Sequence, residues 1–514
     1  MLSTLPTEIL HRIFKLFETP FRSWEQGDET SSEQCPRPHD LIALSKVCHR
    51  FHAVARPLIY RTLVFRSDVD LDLDDSFLDR FLHVICADPS IGLNIRRLHA
   101  GTPLSDFDVD HFADKLLAAP ETTLDERRKR WLERWSKVGK HNVAQVLLLL
   151  APQVRVLDYF QELSEDCVST YLSGRQDVED ELFATVGLFN NEDTDSDAAG
   201  SETASQDGDE DNQSDGAPAG QLQNRQLGLA SENPMGLLRE VRLKYGSYML
   251  LRMRHAEDIL LNPGIKILRL EGFRWTKGDV RVMKWNDVVS NVTTLQLRNC
   301  LIDARGLSNA LCRCRLRHLH IVLPTHSRLK SDREGEGVDF DEMGAVLRRH
   351  GQSLESLDFE SIAFRKQCRV NGYLGPLNVL SGLTSLKMSV EELGQFNEED
   401  EDELKSGLRT FLPPALESIH IRPSKDTGRR VPRTLLVDEA FSTLQTVEVE
   451  VDDANDNEIN LHNLKVSGWS KSSRSDMVCR DNEGEEEPDG LSPCTVAIFL
   501  RDVKVYQMAM GQIE

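Results

Sequence analysis

The chain has 514 residues, 39% of them apolar, and its 61 Lys and Arg face 84 Asp and Glu for a net charge of −23. That length admits several domains or one long solenoid, and the acidic balance argues against non-specific binding to nucleic acid or an anionic membrane. No window reaches the apolar length that spans a bilayer and no cleavable leader is recognisable, so an intracellular protein of the cytoplasm, the nucleus or both is expected.

The first elements are amphipathic helices. Pro6 sits where a first-turn proline fits, and Glu8 complements the positive helix end. Ile9, Leu10, Ile13, Phe14, Leu16 and Phe17 come next at helical spacing, with His11, Arg12 and Lys15 on the remaining face. A second helix is expected from Asp40 as N-cap, with Leu41, Leu44, Val47, Cys48 and Phe51 along one side. Pro57 is expected to split the adjoining stretch into two helical pieces, Ala53 to Arg56 and Leu58 to Tyr60. So short a module cannot bury this many large apolar side chains unaided, which calls for a partner surface.

This stretch resembles the F-box family, whose pattern is roughly Leu-Pro-x-Glu-Ile/Leu-Leu-x-x-Ile-Phe, a spacer, then Leu-x-x-Leu-x-x-Val-Cys-x-Arg/Lys-Trp/Phe. The matching residues are Leu5, Pro6, Glu8, Ile9, Leu10, Ile13, Phe14, Leu41, Leu44, Val47, Cys48, Arg50 and Phe51. Phe51 stands where Trp is frequent, and residues 20 to 39 lengthen the spacer, a change of small entropic cost in a surface loop. The resemblance implies an F-box over residues 1 to 63 that docks a Skp-type adaptor and, through it, a cullin. Leu5, Pro6, Ile9, Leu10, Ile13, Phe14, Leu41, Leu44, Val47, Cys48 and Phe51 would then carry the docking and the helix packing beneath it.

Residues 64 to 185 read as an irregular helical and early repeat region. Val143 to Leu150 is helical and precedes the apolar set Val154, Leu157 and Tyr159, while Ile95, Leu98 and Ala100 fit the same spacing more loosely. Trp131 and Trp135 pair at i, i+4 on a basic amphipathic helix, where core packing outweighs base stacking. Residues 186 to 234 are expected to be a disordered acidic insert, because Asn191 to Gly216 contains no Lys, Arg or aromatic residue.

From 235 to 470 one spacing recurs, apolar-x-x-apolar-x-apolar. It appears at Leu238/Val241/Leu243, Ile265/Leu268/Leu270, Val292/Leu295/Leu297, Leu316/Leu319/Ile321, Leu354/Leu357/Phe359, Leu383/Leu386/Met388, Leu416/Ile419/Ile421 and Leu444/Val447/Val449. The steps between them are about 24 to 38 residues, near the leucine-rich-repeat period. Cys300 stands where such repeats place Asn or Cys, and Asp341 to His350 supplies a helical stretch between two repeats. The resulting fold class is α/β: a small N-terminal helical F-box, then a leucine-rich-repeat solenoid of parallel strands backed by helices. The acidic runs Glu398 to Glu403 and Glu485 to Glu487 are expected as loops, and residues 471 to 514 as an acidic loop and C-terminal strand or cap.

Motifs for phosphate cradles, nucleophile elbows and zinc proteases are missing. The 10 cysteines are scattered without metal-ligand spacing, so reduced and mostly buried thiols, no metal and no cofactor are expected. By resemblance the chain is a non-catalytic substrate receptor of a Skp-cullin-F-box ubiquitin ligase, binding an unidentified protein through its repeats. A repeat scaffold acting outside any ligase is the alternative. Alternate strand positions face outward, which nominates Arg242, Arg269, Gln296, Arg298 and His320 as exposed substrate contacts, and their basic character points to an acidic or phosphorylated ligand.

Overall fold

The computed structural model describes residues 5–17, 39–65, 76–101, 143–162, 237–324, 338–451, 469–479 and 491–501, with short breaks inside these ranges. The tryptophan pair at 131 and 135, the acidic insert at 186–234 and the run at 485–487 lie outside them.

Three helices open the chain: α1 (Thr7–Lys15), α2 (His39–Ser45) and α3 (His49–Ile59). Three expectations are corrected here. The second apolar stretch is two helices, because Cys48 adopts an extended backbone and caps α3, its Sγ accepting the Phe51 N–H at 3.5 Å. Asp40 lies in the first turn of α2 rather than at its cap. Pro57 also does not divide α3, which runs to Ile59. A proline so near the helix end removes one backbone bond, while Tyr60 N–H still reaches Arg56 O at 3.3 Å.

These helices enclose their own small core of Leu10, Phe14, Leu41, Phe51, Val54, Ala55 and Leu58. Phe14 meets Phe51 edge to face with centroids 5.2 Å apart, and the Arg50 guanidinium donates to Leu5 O, tying α3 to the start of α1.

The rest of the described chain is organised by one sheet of thirteen strands. In chain order its members are β1 (Thr62–Phe65), β2 (Arg97–Gly101), β3 (Val156–Glu162), β4 (Glu240–Gly246), β5 (Ile267–Glu271), β6 (Thr294–Arg298) and β7 (His318–Val322). The later ones are β8 (Ser356–Glu360), β9 (Ser385–Ser389), β10 (Ser418–Arg422), β11 (Thr446–Val451), β12 (Trp469–Cys479) and β13 (Leu491–Arg501). From β1 to β11 each strand pairs in parallel with the next, and β13 then joins β11 antiparallel, with β12 as the far edge. From β1 to β11 neighbours in sequence are neighbours in the sheet, an order consistent with an α/β solenoid.

The repeating leucine spacing sets the register. Leu63, Leu98, Leu157, Val241, Leu268, Leu295, Leu319, Leu357, Leu386, Ile419 and Val447 stand directly beside one another, with Phe499 of β13 continuing the row. All are buried in one continuous core. Each such side chain contributes roughly 1.5–3 kcal/mol by leaving water, and a slip of one residue would turn the row outward. The second and third positions of all eight spacings between 238 and 449 and of both looser ones before them fall on strands of this sheet, joined by β1, which the spacing did not mark.

Among the described residues helices lie in six of the connections between strands. They are α4 (Ser76–Ala87), α5 (Val143–Leu150), α6 (Ala304–Arg313), α7 (Phe340–His350), α8 (Glu401–Phe411) and α9 (Arg430–Val437). Asp303, Asp339 and Asp400 cap α6, α7 and α8 through side-chain bonds to first-turn N–H groups. The acidic run near 400 is therefore corrected: Asp400 to Glu403 opens a helix, where carboxylates complement the positive end. Cys300 stitches turns together, with Sγ donating to Leu270 O at 3.4 Å and accepting the Phe273 N–H at 3.4 Å. Of the four cysteines whose side chains are described, Cys300 and Cys314 are buried and Cys48 and Cys312 are exposed.

Candidate functional site

Two surfaces carry groups that packing does not use up. The first is the outside of α1 to α3. Among the residues matched to the helical motif, Leu10, Phe14, Leu41 and Phe51 point into the small core, while Leu5, Ile13 and Leu44 are half-buried against it. Pro6, Ile9, Val47 and Cys48 are exposed. Ile9 keeps 39% of its surface in water, Val47 65%, and beside them Leu16 keeps 83% and Phe17 43%. Large apolar side chains gathered outside on a folded module are the kind of surface that a protein partner covers. The helical spacing named Leu16 and Phe17 as apolar without showing which way they face. Only the packing of α3 over Leu10 and Phe14 decides that.

Polar residues around this surface fix its shape. Arg50 holds the Leu5 carbonyl, His11, Arg12, Lys15 and Lys46 stay exposed, and Arg56 pairs with Asp88 beyond α4. Tyr60, at the end of α3, packs against the large core next to β1.

The second surface is the sheet face opposite the apolar rows. Residues between the two buried positions of each strand form a polar file: His99, Asp158, Arg242, Arg269, Gln296, His320, Asp358, Lys387, His420 and Glu448 stand in register from β2 to β11. Arg242, Arg269, Gln296, Arg298 and His320 lie on this face, but the expectation that they are exposed is corrected: all five are half-buried. Neighbouring strands stand close enough for long side chains to lie against one another. Arg242 and Arg269 share the Glu240 carboxylate at 2.7 and 2.9 Å, Arg269 also donates to Gln296 Oε1 at 2.7 Å, and His320 Nδ1 meets Asp358 at 2.7 Å.

On β8 to β11 the file becomes a closed ionic network. Arg422, only 5% exposed, reaches Asp358 at 2.7 Å and Glu360 at 3.0 Å and donates to Phe359 O at 2.6 Å. His420 contacts Glu448 through Nδ1 at 2.9 Å and Glu450 through Nε2 at 2.6 Å, so a carboxylate faces each ring nitrogen. Burial pushes the Asp358 carboxyl up, but the hydrogen bond to His320 and the charge of Arg422 outweigh it and hold the group below the ordinary range. Glu450 is lowered in the same way, burial being overcome by His420. Beneath them Glu392 is 1% exposed and accepts from Ser361 N, Ser361 Oγ and Ser389 N at 2.7, 2.6 and 3.0 Å. Burial still raises it to about 7. Alternation along the strands placed these groups on one face in advance, but their pairing across strands needed the register.

Among the described residues no group of three His, Cys, Asp or Glu is arranged to hold a metal, and no helix is long and apolar enough to cross a membrane. The chemistry on offer is recognition by an apolar helical surface and by a file of fixed charges.

Residues 2–66 match a family model described as F-box-like. No curated protein matches the chain.

Proposed function

We propose that this chain, whose residues 2–66 are an F-box-like domain, is the substrate-recognition subunit of a Skp-cullin-F-box ubiquitin ligase. F-box domains generally bind Skp-type adaptors, and the observation that carries the reading is that Ile9, Leu16, Phe17 and Val47 stay exposed on a module whose own core is already complete. The parallel strands, in step at a period near that of leucine-rich repeats, support reading residues 235–470 as a repeat solenoid whose polar face receives a protein substrate. The receptor itself has no catalytic role in this reading. It raises the local concentration of bound protein near the ubiquitin-charged partner, in the cytoplasm or nucleus.

The test is co-purification of the intact chain with adaptor and cullin, beside a variant carrying Ile9→Asp and Val47→Asp. Capture of both partners by the parent and of neither by the variant is the expected result. Adaptor without cullin would leave a scaffold outside any ligase, and loss of both from the parent would overturn the assignment.

A further inference from the structure

The residue that starts each strand turn repeats a single backbone bond. Arg96 N–H reaches Arg61 O at 2.8 Å, Arg155 N–H reaches Arg96 O at 2.7 Å, Arg239 N–H reaches Arg155 O at 2.8 Å and Lys266 N–H reaches Arg239 O at 2.8 Å. The bonded row continues through Thr293, Arg317, Glu355, Thr384, Glu417 and Gln445. Its first five positions are all cations, at the strand pitch of about 4.8 Å, so five positive side chains line one rim of the sheet over about 20 Å. Beyond Thr293 the pattern ends, for Arg317 is answered within the row by Glu355 at 3.2 Å.

Five like charges held at strand spacing repel one another; two of them are fixed at the rim by backbone carbonyls, Arg96 Nη1 donating to Leu93 O at 2.8 Å and Arg239 Nη1 to Gly264 O at 2.9 Å. Arg155, Arg239 and Lys266 are exposed and Arg61 and Arg96 half-buried. The Arg96 guanidinium is lowered first by burial and then by the charges of Arg155 and Arg61. The net charge of −23 does not cancel such a row at close range, since screening confines surface fields to about 8 Å at physiological salt.

We propose that Arg61, Arg96, Arg155, Arg239 and Lys266 form a docking rim for an acidic helical segment of a partner protein. Carboxylates at i, i+3 and i+4 on a helix stand about 5–6 Å apart, close to the pitch of the rim. A nucleic-acid strand fits less well, because no aromatic ring stands in the row to stack a base. The rim deepens the receptor reading above and rests on it only in calling the partner a substrate.

The experiment measures fluorescence anisotropy of a labelled Glu-rich helical peptide with the intact chain. Its Lys-for-Glu counterpart and an oligouridylate of equal charge serve as comparisons. Arg155→Gln, Arg239→Gln and Lys266→Gln together should weaken the Glu peptide about tenfold or more, whereas Arg349→Gln, on the exposed side of α7, should change it less than about twofold. Unchanged affinity of the triple variant, equal binding of the Lys peptide, or tighter binding of the oligouridylate would each overturn the proposal. Adaptor capture is read separately: its loss with the rim intact removes only the ligase reading, and the reverse removes only the rim.

Discussion

Residues adjacent in the first helix should fail in opposite ways. Leu10 is fully buried with Phe14 and Phe51, so Leu10→Ala loses its transfer energy and leaves a cavity, costing about 3–5 kcal/mol. With only seven residues in that core, such a loss is comparable to the stability of so small a module. Ile9 and Val47 keep 39% and 65% of their surfaces in water, so truncating either costs folding less than about 1 kcal/mol. At the centre of a docking surface the same truncation removes about 2 kcal/mol of binding, roughly a thirtyfold rise in Kd. Hydrogen exchange of the α1 to α3 amides reads the first quantity, and calorimetric titration with a Skp-type adaptor reads the second. The expected pattern is unprotected amides for Leu10→Ala and normal protection with weak binding for Ile9→Ala and Val47→Ala. Normal exchange in Leu10→Ala, or undiminished adaptor affinity in both surface variants, would refute the division into core and docking faces.

The sheet gives further expected outcomes. Glu392 has its carboxyl raised to about 7 by burial, so its share of stability is fully present below the unfolded value near 4.5, falls as pH rises through 7 and is then flat. The loss is about 3 kcal/mol, and urea unfolding of Glu392→Gln against the parent across that window should isolate it; parallel pH profiles would contradict it. Arg422→Ala should destabilise by about 3–5 kcal/mol, because Asp358 is left without its nearly buried partner, and a melting temperature within a degree or so of the parent would count against the network. Gly344 packs α7 so tightly that a Cβ there would stand 1.8 Å from Leu374 O, so Gly344→Ala should cost about 1–3 kcal/mol by forcing helix and loop apart, measured by thermal unfolding.

The strand periodicity was legible from residues alone, because a row that must be buried in every strand needs an apolar residue at the same two positions each time. The spacing thus located β2 to β11 through pairs such as Leu268 and Leu270 or Val447 and Val449. It passed over β1, where Leu63 and Phe65 are too short a run to stand out beside the helices. Helix ends were less legible, since the extended backbone of Cys48 accompanies Phe51 docking against Phe14, and α3 tolerates Pro57 because it lies two residues from the helix end, where little backbone bonding is lost.

The sequence determined by itself that an apolar helical module precedes a periodic parallel architecture, and that polar residues alternate with the buried rows. Tertiary structure alone decided that Leu10 faces in while Ile9 faces out, and that Arg242 and Arg269 share Glu240 instead of standing free. It alone placed five distant cations in one row along a rim. The physical reason is range: burial patterns are written in neighbouring residues, whereas charge pairing depends on which strands stand about 5 Å apart after the chain has closed loops of dozens of residues.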